Sequence, residues 1–257
     1  MKKFSVIIAA VAMFCLTAQA QSVGDRRLLN HLGVGVSAGV LDGIGFEVST
    51  PLTGFFAIRA GVSFLPSLSR TFNVDLTGID DYNKYFIKDN ADIKVKTGFT
   101  NWKFLVDIHP FKGMFRLTAG AYFGSDVLAS AENAEDFLKD GYKGTSGVVE
   151  GDYKYMSDLQ GNVKADIKVN KFKPYVGIGV GRAVPKGRLA FNFDFGVQFW
   201  GKPSLWTNTQ DDLTGNSVYT KIEKDHVKDK DFKDGLDIAS KVTVCPVISF
   251  RLTGRIL

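Results

Sequence analysis

Phe55-Phe-Ala-Ile-Arg-Ala-Gly-Val-Ser-Phe-Leu65 reads in twos. Phe56, Ile58, Ala60, Val62 and Phe64 are apolar, and Ala57, Arg59, Gly61 and Ser63 between them are small or charged. A period of two sends the two rows to opposite faces of one strand. An apolar face backed by small and charged residues suits a barrel whose outside is lipid.

The pattern recurs on both sides of this stretch. Residues 31–41 alternate Leu32, Val34, Val36, Ala38 and Val40 with Gly33, Gly35, Ser37 and Gly39. Residues 44–49 follow with Ile44, Phe46 and Val48 on one face. Downstream, residues 99–109 carry Trp102, Phe104, Val106 and Ile108 against Lys103 and Asp107. Residues 114–124 set Phe115, Leu117, Ala119, Ala121 and Phe123 against Arg116, Thr118, Gly120 and Tyr122. Residues 173–182 and 188–200 repeat the pattern, the latter with Asn192, Asp194, Gly196 and Gln198 on the polar face. The last strand runs from residue 242 to the end, with a bulge or local break expected at Pro246, which lacks a ladder donor.

Eight strands result, joined alternately by short and long connections. Asp42-Gly43 predicts a two-residue hairpin turn. Residues 51–54, 110–113 and 185–187 predict short turns, and residues 66–98, 125–171 and 201–241 predict long loops. Phe72, Val74 and Leu76 extend the third strand, and Val163, Ala165, Ile167 and Val169 begin the sixth early. The first long loop holds Asp80-Asp81, and residues 131–138 fit a helical turn or two. The fold class is all-β: an eight-stranded antiparallel transmembrane β-barrel with short periplasmic turns and long extracellular loops. Phe64, Trp102, Phe123 and Phe199 at one level, with Phe56 and Phe115 at the other, form the expected aromatic girdles.

A soluble lipocalin-like barrel would place the apolar row inside. Eight strands leave an interior that side chains fill, and the Phe191, Phe193, Phe195 and Phe199 row would overfill it. The other row holds Glu47, Arg59, Lys103, Asp107, Arg116, Asp194 and Arg251. Unpaired charges in a narrow lumen are costly, so these seven are expected to pair. Such a network seals the lumen or, alternatively, exchanges partners to gate a small pore.

Residues 1–20 read as a secretory signal peptide. Lys2 and Lys3 precede an apolar run, and Ala18-Gln19-Ala20 is a cleavage pattern, leaving residues 21–257 as the outer-membrane β-barrel. The run is shorter than the roughly 20 residues of a spanning helix. Cys15 lacks the small pair that a lipoprotein signal needs ahead of it. Removing Lys2 and Lys3 leaves 30 basic against 27 acidic residues, too balanced for a nucleic-acid partner. Cys245 then stands alone, so no intramolecular disulfide is expected.

Lys173-Pro-Tyr-Val-Gly-Ile-Gly-Val-Gly181, followed by Phe191-Asn-Phe-Asp-Phe-Gly-Val-Gln-Phe-Trp-Gly-Lys-Pro-Ser204, resembles a hairpin of bacterial outer-membrane β-barrel proteins. The resemblance to these small, porin-like barrels implies a Gram-negative outer membrane, contact with its lipid, and delivery by the barrel assembly machinery. It implies no defined activity. Such chains commonly end on an aromatic residue, and this one departs in ending Arg255-Ile256-Leu257.

The remaining motifs are weaker. Gly177, Gly179 and Gly181 lie inside a strand, where they make room in a lumen; a dinucleotide loop would open a helix. Asp229, Asp231 and Asp234 miss the calcium-loop register, so residues 229–235 read as a solvated charged loop and no metal or cofactor is expected. His31 and His109 fall at the periplasmic end. His226 falls in an outside loop, where Ser204 or Ser217 would have to serve it as a nucleophile in a lipid-modifying enzyme. The expected role is therefore non-enzymatic: a monomeric envelope scaffold or a surface-binding protein acting through its loops, with a narrow pore or a channel for small or hydrophobic solutes as the alternative.

Overall fold

The computed structural model describes residues 31–77, 82–111, 113–150 and 152–256. The signal segment 1–20 and Asp80-Asp81 lie outside them. Fourteen strands are described. They are β1 (Gly33–Val40), β2 (Gly43–Pro51), β3 (Phe56–Asp75), β4 (Asn90–Ile108), β5 (Phe115–Gly124), β6 (Val127–Asn133) and β7 (Ser146–Glu150). Then come β8 (Tyr153–Met156), β9 (Lys164–Lys168), β10 (Phe172–Val180), β11 (Leu189–Phe199), β12 (Ser204–Gln210), β13 (Ser217–Ile222) and β14 (Val244–Arg255).

Eight of them close a barrel in the order β1-β2-β3-β4-β5-β10-β11-β14, and β14 returns to β1. Every adjacent pair is antiparallel. The period of two is what makes closure possible, because each strand keeps one chemistry on each side all the way round. The row carrying Ile58, Val106, Leu117, Ile178 and Phe195 is exposed, whereas Arg59, Asp107, Thr118 and Asp194 are buried. This is the inverse of a soluble barrel, whose apolar row faces in.

The tight hairpin differs from the expected Asp42-Gly43 turn. Gly39 pairs with Gly43, so the loop is residues 40–42. Leu41 (φ 65°) and Gly43 (φ 70°) both take left-handed backbone. A Cβ on Gly43 would stand 2.2 Å from the Phe64 carbonyl oxygen, so the turn is held close against β3. The extra loop residue frees Asp42 to point inward, where it is buried.

At the opposite end, the connection between β10 and β11 is residues 181–188, longer than the predicted turn at 185–187. It folds under the barrel mouth: Ala183 is buried and its carbonyl accepts a 2.7 Å bond from Ser49 Oγ. Pro246 makes no bulge. The β11–β14 register runs through Val197↔Pro246 without a shift, and β1 already ends opposite Ile248, so the missing donor falls where no β1 residue is paired.

The three long connections are built structure rather than loops. A bulge between Leu65 and Leu68 lets β3 and β4 run on as a ribbon, Leu68↔Thr97 to Asp75↔Asn90. β6 pairs with the outer part of β4, β9 with β6, and β12 with β9; β13 and β8 pair with β12, and β7 pairs with β8. Residues 131–138 are therefore not helical: their first three belong to β6. The alternation at 163–169 is the separate strand β9, not an early start of β10. This cap has its own apolar core of Leu76, Phe86, Ala91, Phe137 and Leu138, with Phe86 and Phe137 ring centroids 5.5 Å apart.

The expected charged loop at 229–235 is the start of a helix, Lys230–Lys241. Asp229 caps it, its carboxylate accepting from the Phe232 amide at 2.7 Å. Phe232, Leu236 and Ala239 are half-buried on one face, and Asp237 bridges to Lys241 at 2.7 Å on another.

Candidate functional site

The lumen is the candidate site. Its charged residues come from β2, β3, β4, β5, β11 and β14, and period-two alternation aims them inward. The seven predicted charges are all buried and lie in one network. Arg59 pairs with Asp107 (Nε–Oδ2 2.8 Å), Glu47 (3.2 Å) and Asp194 (3.4 Å). Arg116 pairs with Asp194 (2.5 Å) and Asp107 (3.7 Å). Lys103 and Arg251 both reach Glu47, at 2.6 and 3.0 Å.

An eighth charge completes the set. Asp42, read in the sequence only as a turn residue, accepts from Ser63 Oγ at 2.7 Å and pairs with Lys103 at 3.4 Å. Four cations thus meet four carboxylates. A hydroxyl and a carbonyl add partners: Thr118 Oγ1 donates to Asp107 (2.7 Å), and Arg116 donates to the Gly181 carbonyl (2.5 Å). That last bond ties the network to the connection folded beneath the barrel. Desolvation of each buried ion costs several kcal/mol, on the order of the attraction gained, so these added bonds weigh in the balance.

Leu105, Tyr122, Tyr175 and Val247 form a second, apolar cluster inside the barrel. Tyr122 and Tyr175 meet edge to face, with centroids 5.5 Å apart. Tyr175 lies across two glycines. A Cβ on Gly177 would come within 2.5 Å of its hydroxyl, and one on Gly196 within 2.4 Å. These in-strand glycines are thus the space in which the ring lies. Lys173 is also buried, held by Asn101 Oδ1 (2.9 Å) and the Ser125 carbonyl (2.7 Å).

Of the girdle residues, Phe56, Trp102, Phe115, Phe123 and Phe199 are exposed on the outer face. Phe64 is half-buried against Phe46, with centroids 6.5 Å apart.

The cap carries a polar aromatic patch that the sequence reading missed. Trp206 and Tyr219 stack with centroids 5.6 Å apart, and Lys168 Nζ lies 4.9 and 4.4 Å from the two rings. The Tyr219 hydroxyl donates to Asp166 at 2.6 Å. Its signal was available only across strands, since these residues are far apart in sequence.

His226 does not pair with the serines weighed for it. Its Nδ1 lies 2.7 Å from Asp152 Oδ2. Ser204 Oγ accepts from Trp206 Nε1 and donates to the Lys168 carbonyl, and Ser217 pairs with Gln210 in the β12–β13 hairpin. The hydrogen bond that His226 donates to Asp152 raises the imidazole pKa above its ordinary value. The contact is therefore strongest while His226 is charged and fades as pH rises through the raised pKa. A proton-detected titration is expected to place the His226 midpoint above that of an unperturbed histidine, and Asp152→Asn to lower it. Equal midpoints in both proteins would exclude the pairing in solution.

Among the described residues, no group of three or more His, Cys, Asp and Glu is placed to hold a metal ion. No protein-family model matches the chain, and no curated protein matches it. Among solved structures, Acinetobacter baumannii CarO aligns at 12% identity and TM-score 0.49, covering 90% of this chain and 99% of that one. Acinetobacter baumannii CarO2 aligns at 15% identity and TM-score 0.48, covering 90% and 100%.

Proposed function

We propose that the chain is an outer-membrane barrel with a closed lumen, acting as an envelope scaffold or surface-binding protein through its cap. The observation that carries this reading is closure at two levels. The four-cation, four-carboxylate network and the Tyr122–Tyr175 layer both lie within a barrel whose eight strands leave only enough room for side chains. The exposed apolar band supports lipid outside, because in water so continuous a patch would drive association. The ordered cap supports binding outside the membrane. Its Lys168–Trp206–Tyr219 patch joins stacked rings to polar groups, the mixture that recognition surfaces favour. A catalytic role has weaker support, because His226 is engaged by a carboxylate and not by a hydroxyl nucleophile.

The test is single-channel conductance of residues 21–257 refolded into a planar bilayer, with heat-modifiable gel migration proving insertion. A silent bilayer is expected. Discrete, reproducible openings would overturn the closed lumen and make the protein a narrow pore lined by the charges above. Deleting residues 207–237 is then expected to leave the barrel inserted but abolish its surface interactions.

A further inference from the structure

Strand parity locates the aromatic patch of the cap on its outside wall. The bulge between Leu65 and Leu68 places its extra residue in β3, so β4 alternates without a break from Asn90 to Ile108. Lys94 and Lys96 therefore share the face of Trp102 and Phe104, the exposed outside of the barrel, while Lys103 and Asp107 point into the lumen. Residues directly opposite each other in an antiparallel pair share a face. Lys96 stands opposite Ser130, Ser130 opposite Asp166, Asp166 opposite Trp206, and Trp206 opposite Lys221. Side-chain contacts agree with this row. Lys164 pairs with Asp166 at 3.2 Å, the Tyr219 hydroxyl donates to Asp166, and Lys168 lies over the Trp206 and Tyr219 rings. The opposite face of the ribbon carries Ala91 and Ile93, which belong to the cap's apolar core.

Height narrows what this wall meets. Lys96 lies six residues before Trp102 on β4, about 20 Å along the strand, or about 15 Å above that girdle residue at a tilt of about 40°. Lys168 lies four residues before Phe172, so at most about 14 Å of chain separates it from the apolar band. The headgroup layer of a phospholipid bilayer adds only about 5–8 Å on each side of the hydrocarbon. Lys94 and Lys96 stand above that layer. A lipid of the same leaflet that reaches them needs a deeper polar headgroup than a phospholipid has.

We infer that this wall binds phosphate groups on the saccharide headgroup of a glycolipid in the outer leaflet. The wall continues the exposed apolar band upward, so the lipid that surrounds the barrel is the molecule nearest to it. Glu132 and Asp166 bridge Lys96 and Lys164, and Asp92 accepts from Asn73 Nδ2 at 2.8 Å, which makes Lys94 and Lys168 the cations assigned to the ligand. Lysine meets phosphate oxygens through charge-assisted hydrogen bonds. Trp206 and Tyr219 each join an apolar body to a polar tip, which suits the boundary between a membrane and water. The inference rests on the membrane reading above and names the ligand class of the cap patch.

The test titrates fluorescently labelled rough lipopolysaccharide, whose core sugars carry phosphates, with the full mature chain in dodecyl maltoside micelles and reads polarisation. Saturable binding is expected, and weaker binding of the same lipopolysaccharide stripped of phosphate and of labelled phosphatidylglycerol. A Lys94→Gln/Lys168→Gln double variant is expected to bind about 25-fold more weakly, since each lysine near an anionic lipid is worth about fivefold. Lys94→Arg/Lys168→Arg keeps both charges and is expected to stay within about twofold. Lys88→Gln removes a charge at the ribbon tip, beyond the end of β4. It is expected to change binding less than about twofold at about 0.15 M salt, where charges are screened beyond about 8 Å. Equal binding after phosphate removal overturns the site, as does an unchanged Gln double variant or an equal loss in Lys88→Gln. An equal loss in the Arg variant would trace the effect to packing of the patch and overturns it too. Phosphatidylglycerol bound as tightly, and lost in the same Gln variant, overturns the saccharide headgroup. Displacement by about 10 mM inorganic phosphate, about a thousandfold above micromolar lipid, would make the wall a soluble-anion site instead. Circular dichroism and heat-modifiable migration establish that each variant is folded. Flotation with vesicles, scored separately, judges the membrane reading: a chain that fails to float but still distinguishes phosphorylated from stripped lipopolysaccharide in micelles refutes that reading and not the wall.

Discussion

Arg59→Ala is expected to destabilise the barrel by about 3–5 kcal/mol, the cost of breaking a buried ion pair from one side. Arg59 is the hub of the lumen. It alone contacts Glu47, Asp107 and Asp194 together, and it is 3% exposed. The carboxylates lose unequally when it goes. Glu47 keeps Lys103 and Arg251, and Asp194 keeps Arg116 at 2.5 Å. Asp107 is left with the Thr118 hydroxyl and with Arg116 at 3.7 Å. Two costs are then mixed, an uncompensated charge and the space that the guanidinium vacated. A second substitution separates them. Asp107→Asn in the Arg59→Ala background restores neutrality without refilling the space, and roughly half of the loss is expected to return if charge dominates. Urea unfolding of the refolded barrel measures both. No recovery in the double variant would mean that packing, and not charge balance, is what the network supplies.

That Arg59 lies inside was legible from its neighbours in sequence, since Ile58 and Ala60 fix the parity of the strand. The same rule puts Glu47, Lys103, Asp107, Arg116, Asp194 and Arg251 on one row, and all six side chains are buried, because the two faces of each strand differ so sharply in chemistry. Asp42 escaped it because a turn has no period. Leu105 and Val247 share the parity of the buried charges, yet a polar-lumen expectation gave no reason to look for an apolar cluster there. The cap was hardest to read. β6 reads Val-Leu-Ala-Ser-Ala-Glu-Asn, rich in helix formers, and is a strand because β4 and β9 flank it on both sides. The helix at Lys230–Lys241 was hidden by its charges. Phe232, Leu236 and Ala239 already follow the helical spacing, and Asp229 stands at the cap position.

Val176→Arg is expected to cost about 2–4 kcal/mol if the outer band lies in lipid, the penalty of a cation near the middle of a bilayer. Val176 sits in the middle of β10 on the outer face, between Ala119 of β5 and Val197 of β11. It is 50% exposed, so in water the same substitution would be a surface change worth within about 0.5 kcal/mol either way. A matched control makes the comparison internal. Val218, in the cap strand β13, is 42% exposed and lies on β-structure outside the barrel. Val218→Arg is therefore expected to stay within about 0.5 kcal/mol in vesicles. Folding into short-chain phosphatidylcholine vesicles, followed by urea unfolding, reads both variants under one condition. A large loss at Val176 beside a small one at Val218 requires a low-dielectric surrounding at the barrel and water at the cap, because exposure and secondary structure are alike. Two small losses would mean that the apolar band meets water or another protein surface, and the membrane reading would fall with it. Two large losses would instead place the cap within the bilayer and remove the binding role assigned to it.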